Sequence, residues 1–393
     1  MQLLALMAVA ASLRPALTSL PPQIQSIRAD LGLSLAAISL LTAIPLLCFG
    51  AAAPLGISPA ARSRSPEMVI FFFLVMLTLA SGIRVLSGWP LLYFGTVVTG
   101  IAIAALNVIV PVVIKRDFPS KITTIMPVYT SVLAIAATIS AALSVPISNV
   151  TTHNWRGGIG FFALPGVLAL ALWVPLVYHR RHAQVPKSSG HAHLSRSLRR
   201  DPIAWAVTLF FGIQSANFYS IVAWLPKTFI DAGYSPTHAG AMLAICTAIS
   251  VPASLLLPLF LGRGLDQSRM VVLTAVVSLV GFLGMSFAPT ATPLLWVLLI
   301  GIGQASFPTS LVMMTLRARS IDEAGPLSSM TQGIGYLIAA IGPIVIGLAN
   351  QHSGSWTLPY ALMAGAVVFQ FIFGLKAGRP RLGELEHREV ANV

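Results

Sequence analysis

The sequence predicts an all-α membrane protein with twelve transmembrane helices arranged as two six-helix, pseudo-symmetric bundles. Three observations predict it. Of the 393 residues 56% are hydrophobic and 9% charged, with a mean hydropathy of +0.84, so nearly every long segment is too apolar to be solvated as a water-facing helix. Apolar stretches of about 20 residues, the length a bilayer requires, follow one another twelve times. The one long hydrophilic stretch, Tyr178 to Pro202, divides them six and six.

Each span is delimited by charge, proline, glycine or a polar turn. The first covers 2–22 and the second 34–58, after Gly32. The third, 67–86, follows the basic turn GISPAARSRSPE; the fourth, 89–113, opens on Trp89-Pro90 and closes before Lys115-Arg116. The fifth, 124–147, starts after Lys121, and the sixth, 157–178, starts after Arg156 and ends at Tyr178. The second set lies at 203–225, 238–261, 268–288, 292–314, 325–349 and 357–376. The organisation is therefore an N-terminal bundle (1–178), a linker (179–202) too rich in Ser, His and Arg to bury a core, and a C-terminal bundle (203–393). Sliding the chain by 201 positions sets Gly100-Ile101 on Gly301-Ile302, Arg116 on Arg317 and Thr130 on Thr331, a faint trace of duplication.

The opening MQLLALMAVAAS has the apolar character of a signal peptide without a basic leading region, and apolar sequence continues through Leu20. It reads as the first span, with a missing upstream tail left open.

Basic residues set orientation, because short loops rich in Lys and Arg stay in the cytoplasm. Nineteen fall on one side of the spans; Arg28, Arg84, Arg156 and Lys227 fall on the other. Both termini and the linker are then cytoplasmic, in a multi-pass protein of a bacterial inner membrane.

The formal charge of +13 does not indicate nucleic-acid binding, which gathers basic residues on one accessible face; here they are spread as turns between spans. The two cysteines, Cys48 and Cys246, sit inside apolar spans, which leaves no disulfide framework and too few ligands for a tetrahedral metal site. The linker histidines His179, His182, His191 and His193 read as a solvated linker rather than a metal tract. No span carries a nucleophile with a base or a metal cluster, so an enzyme is not expected, and no cofactor is implied.

All eleven acidic residues fall in loops or at span ends, as do the histidines, so a proton relay through a buried carboxylate has no obvious residues to run on. Arg14 is the exception among charges. Counted from the start of the first span at 1.5 Å per residue, it lies roughly 16 Å deep in a core about 30 Å thick. An unpaired cation there costs at least about 2.5–3.5 kcal/mol, so it should face an aqueous cavity or a partner. Two roles fit: contact with a substrate, or bonding to backbone carbonyls at a helix break that Pro15 and Pro21-Pro22 permit. In the seventh span Gln214, Asn217, Phe218 and Ile221 follow helical spacing and put two amides and a ring on one face; packing by interhelical hydrogen bonds is the alternative. Gln332, Gly335 and Tyr336 repeat this in the eleventh span. Asn107 is the remaining deep amide, and Tyr129 suits an interface. The candidate substrate-binding residues are therefore Arg14, Asn107, Gln214, Asn217, Phe218, Gln332 and Tyr336.

Six spans, a basic cytoplasmic linker and six more spans resemble the major facilitator superfamily over essentially the whole chain. Within it, LRPALTSLPPQI in the first span, NVIVPVVIKRDFP closing the fourth, AWLPKTFIDAGYS closing the seventh and SSMTQGIGYLIAAIGP in the eleventh are similar to the cyanate permease and 2-nitroimidazole exporter family. The resemblance implies a transporter that works as a monomer by alternating access, with protons an admissible coupling ion. One departure stands out: the loop between spans two and three usually carries an Asp, and GISPAARSRSPE has none.

A planar guanidinium offers five donors and suits a small planar anion or polar heterocycle. With no buried carboxylate to neutralise it, the empty site is positive, which favours anionic or electron-rich substrates the size of cyanate, nitrate or a nitroimidazole. The rival expectation is a broad-specificity drug/proton antiporter, but the fifth span, TSVLAIAATISAALSVPISN, lacks the Gly-Pro-Gly-Gly pattern common in such exporters.

Overall fold

A computed structural model describes residues 2–55, 66–118, 121–151, 154–179, 198–261, 267–318 and 321–379. All regular structure among them is helical. In chain order the helices are α1 (Gln2–Leu31), α2 (Leu35–Leu55), α3 (Pro66–Ile83), α4 (Trp89–Asp117), α5 (Ile122–Val150) and α6 (Trp155–Tyr178), then α7 (Pro202–Asp231), α8 (Pro236–Leu261), α9 (Ser268–Phe287), α10 (Pro293–Met314), α11 (Ile321–Ser353) and α12 (Thr357–Gly378). Eleven are long and apolar enough to cross a membrane, and α2 contributes a shorter apolar run, Leu35–Ala51. Large apolar side chains such as Phe72, Leu79, Leu168 and Phe369 point outward from the bundle, which is where a lipid solvent accepts them.

Local chemistry explains where the helices start and stop. Asp201 caps α7 by accepting the amide of Ile203, and Pro202 fills the first turn, where no donor is needed. Gly32, at φ 64°, ends α1 in the left-handed region that a side chain would disfavour. Helix α1 is broken: an α-helix at Gln2–Leu13, a turn at Arg14, a short helix at Pro15–Thr18, a 3₁₀ turn at Pro21–Gln23 and a last helix at Ile24–Leu31. Each proline removes one amide donor from the ladder.

In the membrane the backbone groups that the break leaves outside the helix ladder must be satisfied within the protein. The Ala16 carbonyl accepts from Arg84 Nη1 at 2.6 Å, and the Ser19 carbonyl accepts from Ser144 Oγ at 2.6 Å. Gln23 Nε2 donates to the Ser144 carbonyl at 2.8 Å, while Thr18 and Ser140 hydroxyls lie 2.6 Å apart. The break is thus stitched to α5 on one side and held by Arg84 on the other.

Within the first bundle α1 packs on α6, α3 on α4 and α6, and α2 on α4; within the second, α7 packs on α11 and α12, and α9 on α10 and α12. The two most extensive contacts between the bundles are α2 with α11 and α5 with α8, and the Pro21–Gln23 turn of α1 also meets α7 and α8. In a six-plus-six repeat α2 corresponds to α8 and α11 to α5, so the same contact is made twice. Small residues allow both approaches: a Cβ on Gly50 of α2 would lie 2.8 Å from Leu337 of α11, and one on Gly240 of α8 would lie 2.8 Å from the Ala141 carbonyl of α5.

One expectation gains detail and one needs correction. Arg84, read only as a basic residue at the outward end of the third span, is 2% exposed and folded into the bundle, where the broken α1 offers it a carbonyl. Tyr129, expected at an interface, is 3% exposed, and its hydroxyl has no hydrogen-bond partner; α5 begins early enough to bring it within electrostatic reach of Arg14. Elsewhere charges at span ends pair: Arg116 contacts Glu67 and Asp117, Lys227 pairs with Asp231, and Arg317 donates to the Ala377 and Gly378 carbonyls at 2.7 Å. The loop with Arg62 and Arg64 and the linker segment with its histidine side chains lie outside the described residues.

Candidate functional site

Arg14 sits at the first break of α1, where the chain turns between two helical segments and the side chain leaves the helix ladder. Its carbonyl is fully used, accepting from the Leu17 amide at 2.9 Å, the Thr18 amide at 3.1 Å and the Thr18 hydroxyl at 3.0 Å. Its guanidinium is not. Nη1 donates to the Tyr219 hydroxyl on α7 at 3.3 Å, and Tyr336 and Tyr129 stand near enough to feel the charge. Against five donors this is a sparse set of partners.

The guanidinium faces a cavity of about 230 Å³ between the bundles. Helices α1 and α5 supply one wall (Arg14, Leu17, Thr18, Thr130, Ser131, Leu133, Ala134, Ala137); α7, α8 and α10 supply the other (Ser215, Phe218, Tyr219, Val222, Thr247, Ser250, Val251, Ser254, Leu255, Gln304, Phe307, Pro308, Leu311). From the depth of Arg14 the cavity extends toward the ends of the helices where the termini lie, since Ser254, Leu255 and Leu311 belong to the last turns of α8 and α10. Among the described residues, no carboxylate lines it. Most of the hydroxyls are spent locally, as Ser250 donates to the Thr247 carbonyl and Ser254 to the Ser250 carbonyl. Thr138 and Thr247, 3.1 Å apart, tie the two bundles at the rim.

Of the residues singled out from the sequence, Arg14 and Phe218 line this cavity. Gln214 lies one layer behind, buried, donating to Gln304 Oε1 at 3.2 Å and accepting from Ser215 at 3.2 Å, so it orients a wall residue. Asn217 is buried beside it, with Nδ2 unpartnered. Tyr336 is wedged edge-on between Phe49 at 5.3 Å and Phe211 at 5.1 Å, backing the site. Gln332 donates to Ser328 on its own helix at 2.9 Å. Asn107, half-buried on α4, is not among the lining residues, and neither is any other residue of α4 or α11.

The face of α7 turned to the cavity is Ser215, Phe218, Tyr219 and Val222. It has the expected i, i+3, i+4, i+7 spacing, rotated by one residue, about 100°, from Gln214, Asn217, Phe218 and Ile221. Tyr219 was legible as the neighbour of Phe218 within GIQSANFYSIVAWLP. Gln304 has a fainter signal: it stands between Gly303 and Ala305, at a break in α10 between a helix that ends at Gly303 and one that starts at Ser306. For metals, no group of three or more His, Cys, Asp or Glu that could hold an ion occurs among the described residues.

Comparison with known proteins fits this architecture. Residues 3–343 match the family model described as Major Facilitator Superfamily. The chain is 36% identical over 374 residues to the 2-nitroimidazole transporter of Escherichia coli (strain K12), covering 95% of this chain and 94% of that one. It is 29% identical over 393 residues to the cyanate transport protein CynX of the same organism, covering 98% and 100%. Among solved structures, a bacterial homologue of the human lysosomal transporter Spinster, captured inward-facing and unoccupied, superposes with a TM-score of 0.74 at 15% identity over 95% of both chains. That likeness speaks to the fold.

Proposed function

Because this chain belongs to the Major Facilitator Superfamily, we propose that it is a secondary active transporter that moves a small planar anion or azole across the bacterial inner membrane by alternating access around Arg14. The carrying observation is a guanidinium with one long hydrogen bond, facing a cavity with no carboxylate among its described lining residues. Such a site is positive when empty. A planar anion accepts two parallel N–H bonds from it, and an electron-rich azole presents a ring nitrogen or nitro oxygen to the same donors. The rings of Phe218, Tyr219 and Phe307 offer flat apolar surface beside them. The names of the relatives, one for cyanate and one for 2-nitroimidazole, point to the same substrate class.

The substrate enters from the side of the termini in this conformation. With the termini cytoplasmic, as the distribution of basic residues supports, the cavity faces inward. The matched contacts α2 with α11 and α5 with α8 are where one bundle rocks on the other. The lack of a carboxylate at the cavity disfavours an organic cation as cargo, and with it the drug/proton antiporter.

The test is counterflow in proteoliposomes of the purified full-length protein. Preloading with nitrate, cyanate or 2-nitroimidazole is expected to drive accumulation of the labelled counterpart, and preloading with a lipophilic cation is not. Arg14→Ala is expected to abolish the accumulation. Uptake by Arg14→Ala at the wild-type rate would refute the proposal.

A further inference from the structure

A second guanidinium stands on the opposite side of the site. Arg84, just beyond the end of α3, is 2% exposed. Its Nη1 donates to the Ala16 carbonyl at 2.6 Å, and its Nε, buried, has no partner. It lines a separate small cavity of about 30 Å³ with Leu20, Pro21, Thr42, Pro45 and Thr96. Leu17, Tyr219 and Val222 line both this cavity and the large one, so they form the wall between them. Along α1 the order is Arg14, then the wall, then Leu20 and Pro21. Arg84 therefore lies on the side of the wall away from the termini.

A structural role accounts for part of this side chain and not the rest. Holding one carbonyl of a helix break needs a single neutral donor, which an amide would supply without the expense of burying a charge. The chain instead keeps a full guanidinium and makes room for it: a Cβ on Gly95 of α4 would lie 2.6 Å from Arg84 Cγ. No other charged residue among those described lines the cavity. Its two threonine hydroxyls are turned to their own helices, Thr42 donating to the Ser39 carbonyl at 2.9 Å and Thr96 to the Leu92 carbonyl at 2.7 Å. They offer lone pairs rather than donors, and Tyr219, whose hydroxyl accepts from Arg14, is neutral, so Arg84 supplies the charge that recognises an anion there. The space holds about two water-sized groups, enough for an anion of three heavy atoms in line and too little for a substituted azole.

We propose that Arg84 is a second anion-binding residue, which holds a small linear or planar anion on the far side of the Leu17–Tyr219–Val222 wall. The proposal rests on the anion reading of the Arg14 cavity and extends it. The transported anion has two stations, one at each guanidinium, and the Tyr219 ring stands between them. Passage from one to the other requires that ring to move.

Thiocyanate, a three-atom linear anion, tests this, because its nitrile stretch shifts with hydrogen bonding. Infrared difference spectra of the purified full-length protein with and without thiocyanate are expected to show two bound bands. Arg84→Met is expected to remove one and Arg14→Met the other. A single bound band that is lost in Arg14→Met and intact in Arg84→Met would overturn the second station and leave the Arg14 site standing. Loss of a band in Arg84→Met with none lost in Arg14→Met would support Arg84 and sink Arg14. No bound band in the wild type would overturn both. If Arg84→Met aggregates on size exclusion, Arg84→Lys, which keeps the charge and most of the stem, decides: its band is expected to shift, and a spectrum identical to wild type would overturn the proposal.

Discussion

Replacing Arg14 by Met should move binding and stability in opposite directions. On the binding side, an anion seated on the guanidinium receives two charge-assisted hydrogen bonds of about 1.5–3 kcal/mol each. The donors not used by Tyr219 are free to make them. Removing both forfeits about 3–6 kcal/mol, which at 1.4 kcal/mol per factor of ten weakens binding about 10²- to 10⁴-fold. On the stability side, an unpaired cation at that depth costs at least about 2.5–3.5 kcal/mol, part of which water in the cavity returns. The contact surrendered is one 3.3 Å bond to a neutral hydroxyl, about 1 kcal/mol at most. Met fills the same stem volume, so the empty protein is expected to be unchanged or about 1 kcal/mol more stable. Isothermal calorimetry with nitrate and thermal unfolding in detergent read the two quantities on one preparation. Binding weakened less than threefold would refute the substrate role. A melting temperature several degrees lower, with binding retained, would show that the arginine is a structural clamp of the α1 break.

Further outcomes follow from the packing. In a Cys48→Ser/Cys246→Ser background, single cysteines at Ser215, Tyr219 and Val222 are expected to react with a charged methanethiosulfonate applied from the side of the termini, while cysteines at Gln214, Asn217 and Ile221 stay protected; the reverse pattern would refute the assigned face of α7. Gly240→Leu pushes a side chain against the Ala141 carbonyl, where a Cβ alone would come within 2.8 Å; counterflow is expected to fall at least tenfold with helix content by circular dichroism unchanged. Glu67→Gln strips the carboxylate from the buried pair with Arg116, whose side chains are 2% and 19% exposed. Arg116 keeps Asp117 as a partner, so the loss is smaller than the roughly 3 kcal/mol of a buried pair broken outright, and a drop of a few degrees in melting temperature is expected with nitrate affinity unchanged.

How much of the candidate site was legible depends on the kind of residue. A charge in an apolar span is conspicuous whatever its surroundings, because lipid makes it expensive; Arg14 stood out for that reason. Uncharged polar residues on a helix give a spacing and not an absolute direction. On α7, Gln214 and Asn217 turn into helix packing while Ser215 and Tyr219, one residue further round, turn to the cavity. Which way the helix is rotated depends on what covers its other faces, here mainly α11 and α12. The burial of Arg84 was not legible for a related reason. A basic residue at a span end is ordinary topology until a broken neighbour offers it a carbonyl, and the Ala16 oxygen is 68 residues away in sequence.

Composition and period by themselves determined that this chain lives in lipid, that it forms twelve helices in two sets of six, and that one cation must be sheltered at depth. These follow from the cost of exposing apolar surface to water and charge to hydrocarbon, which each segment incurs alone. Tertiary structure decided the rotation of α7, the burial of Arg84 and Tyr129, and the placing of Tyr219 as the wall between two cavities. Those depend on which helices meet, and lipid, as apolar as the side chains themselves, leaves that choice to close packing and hydrogen bonds between residues far apart in the chain.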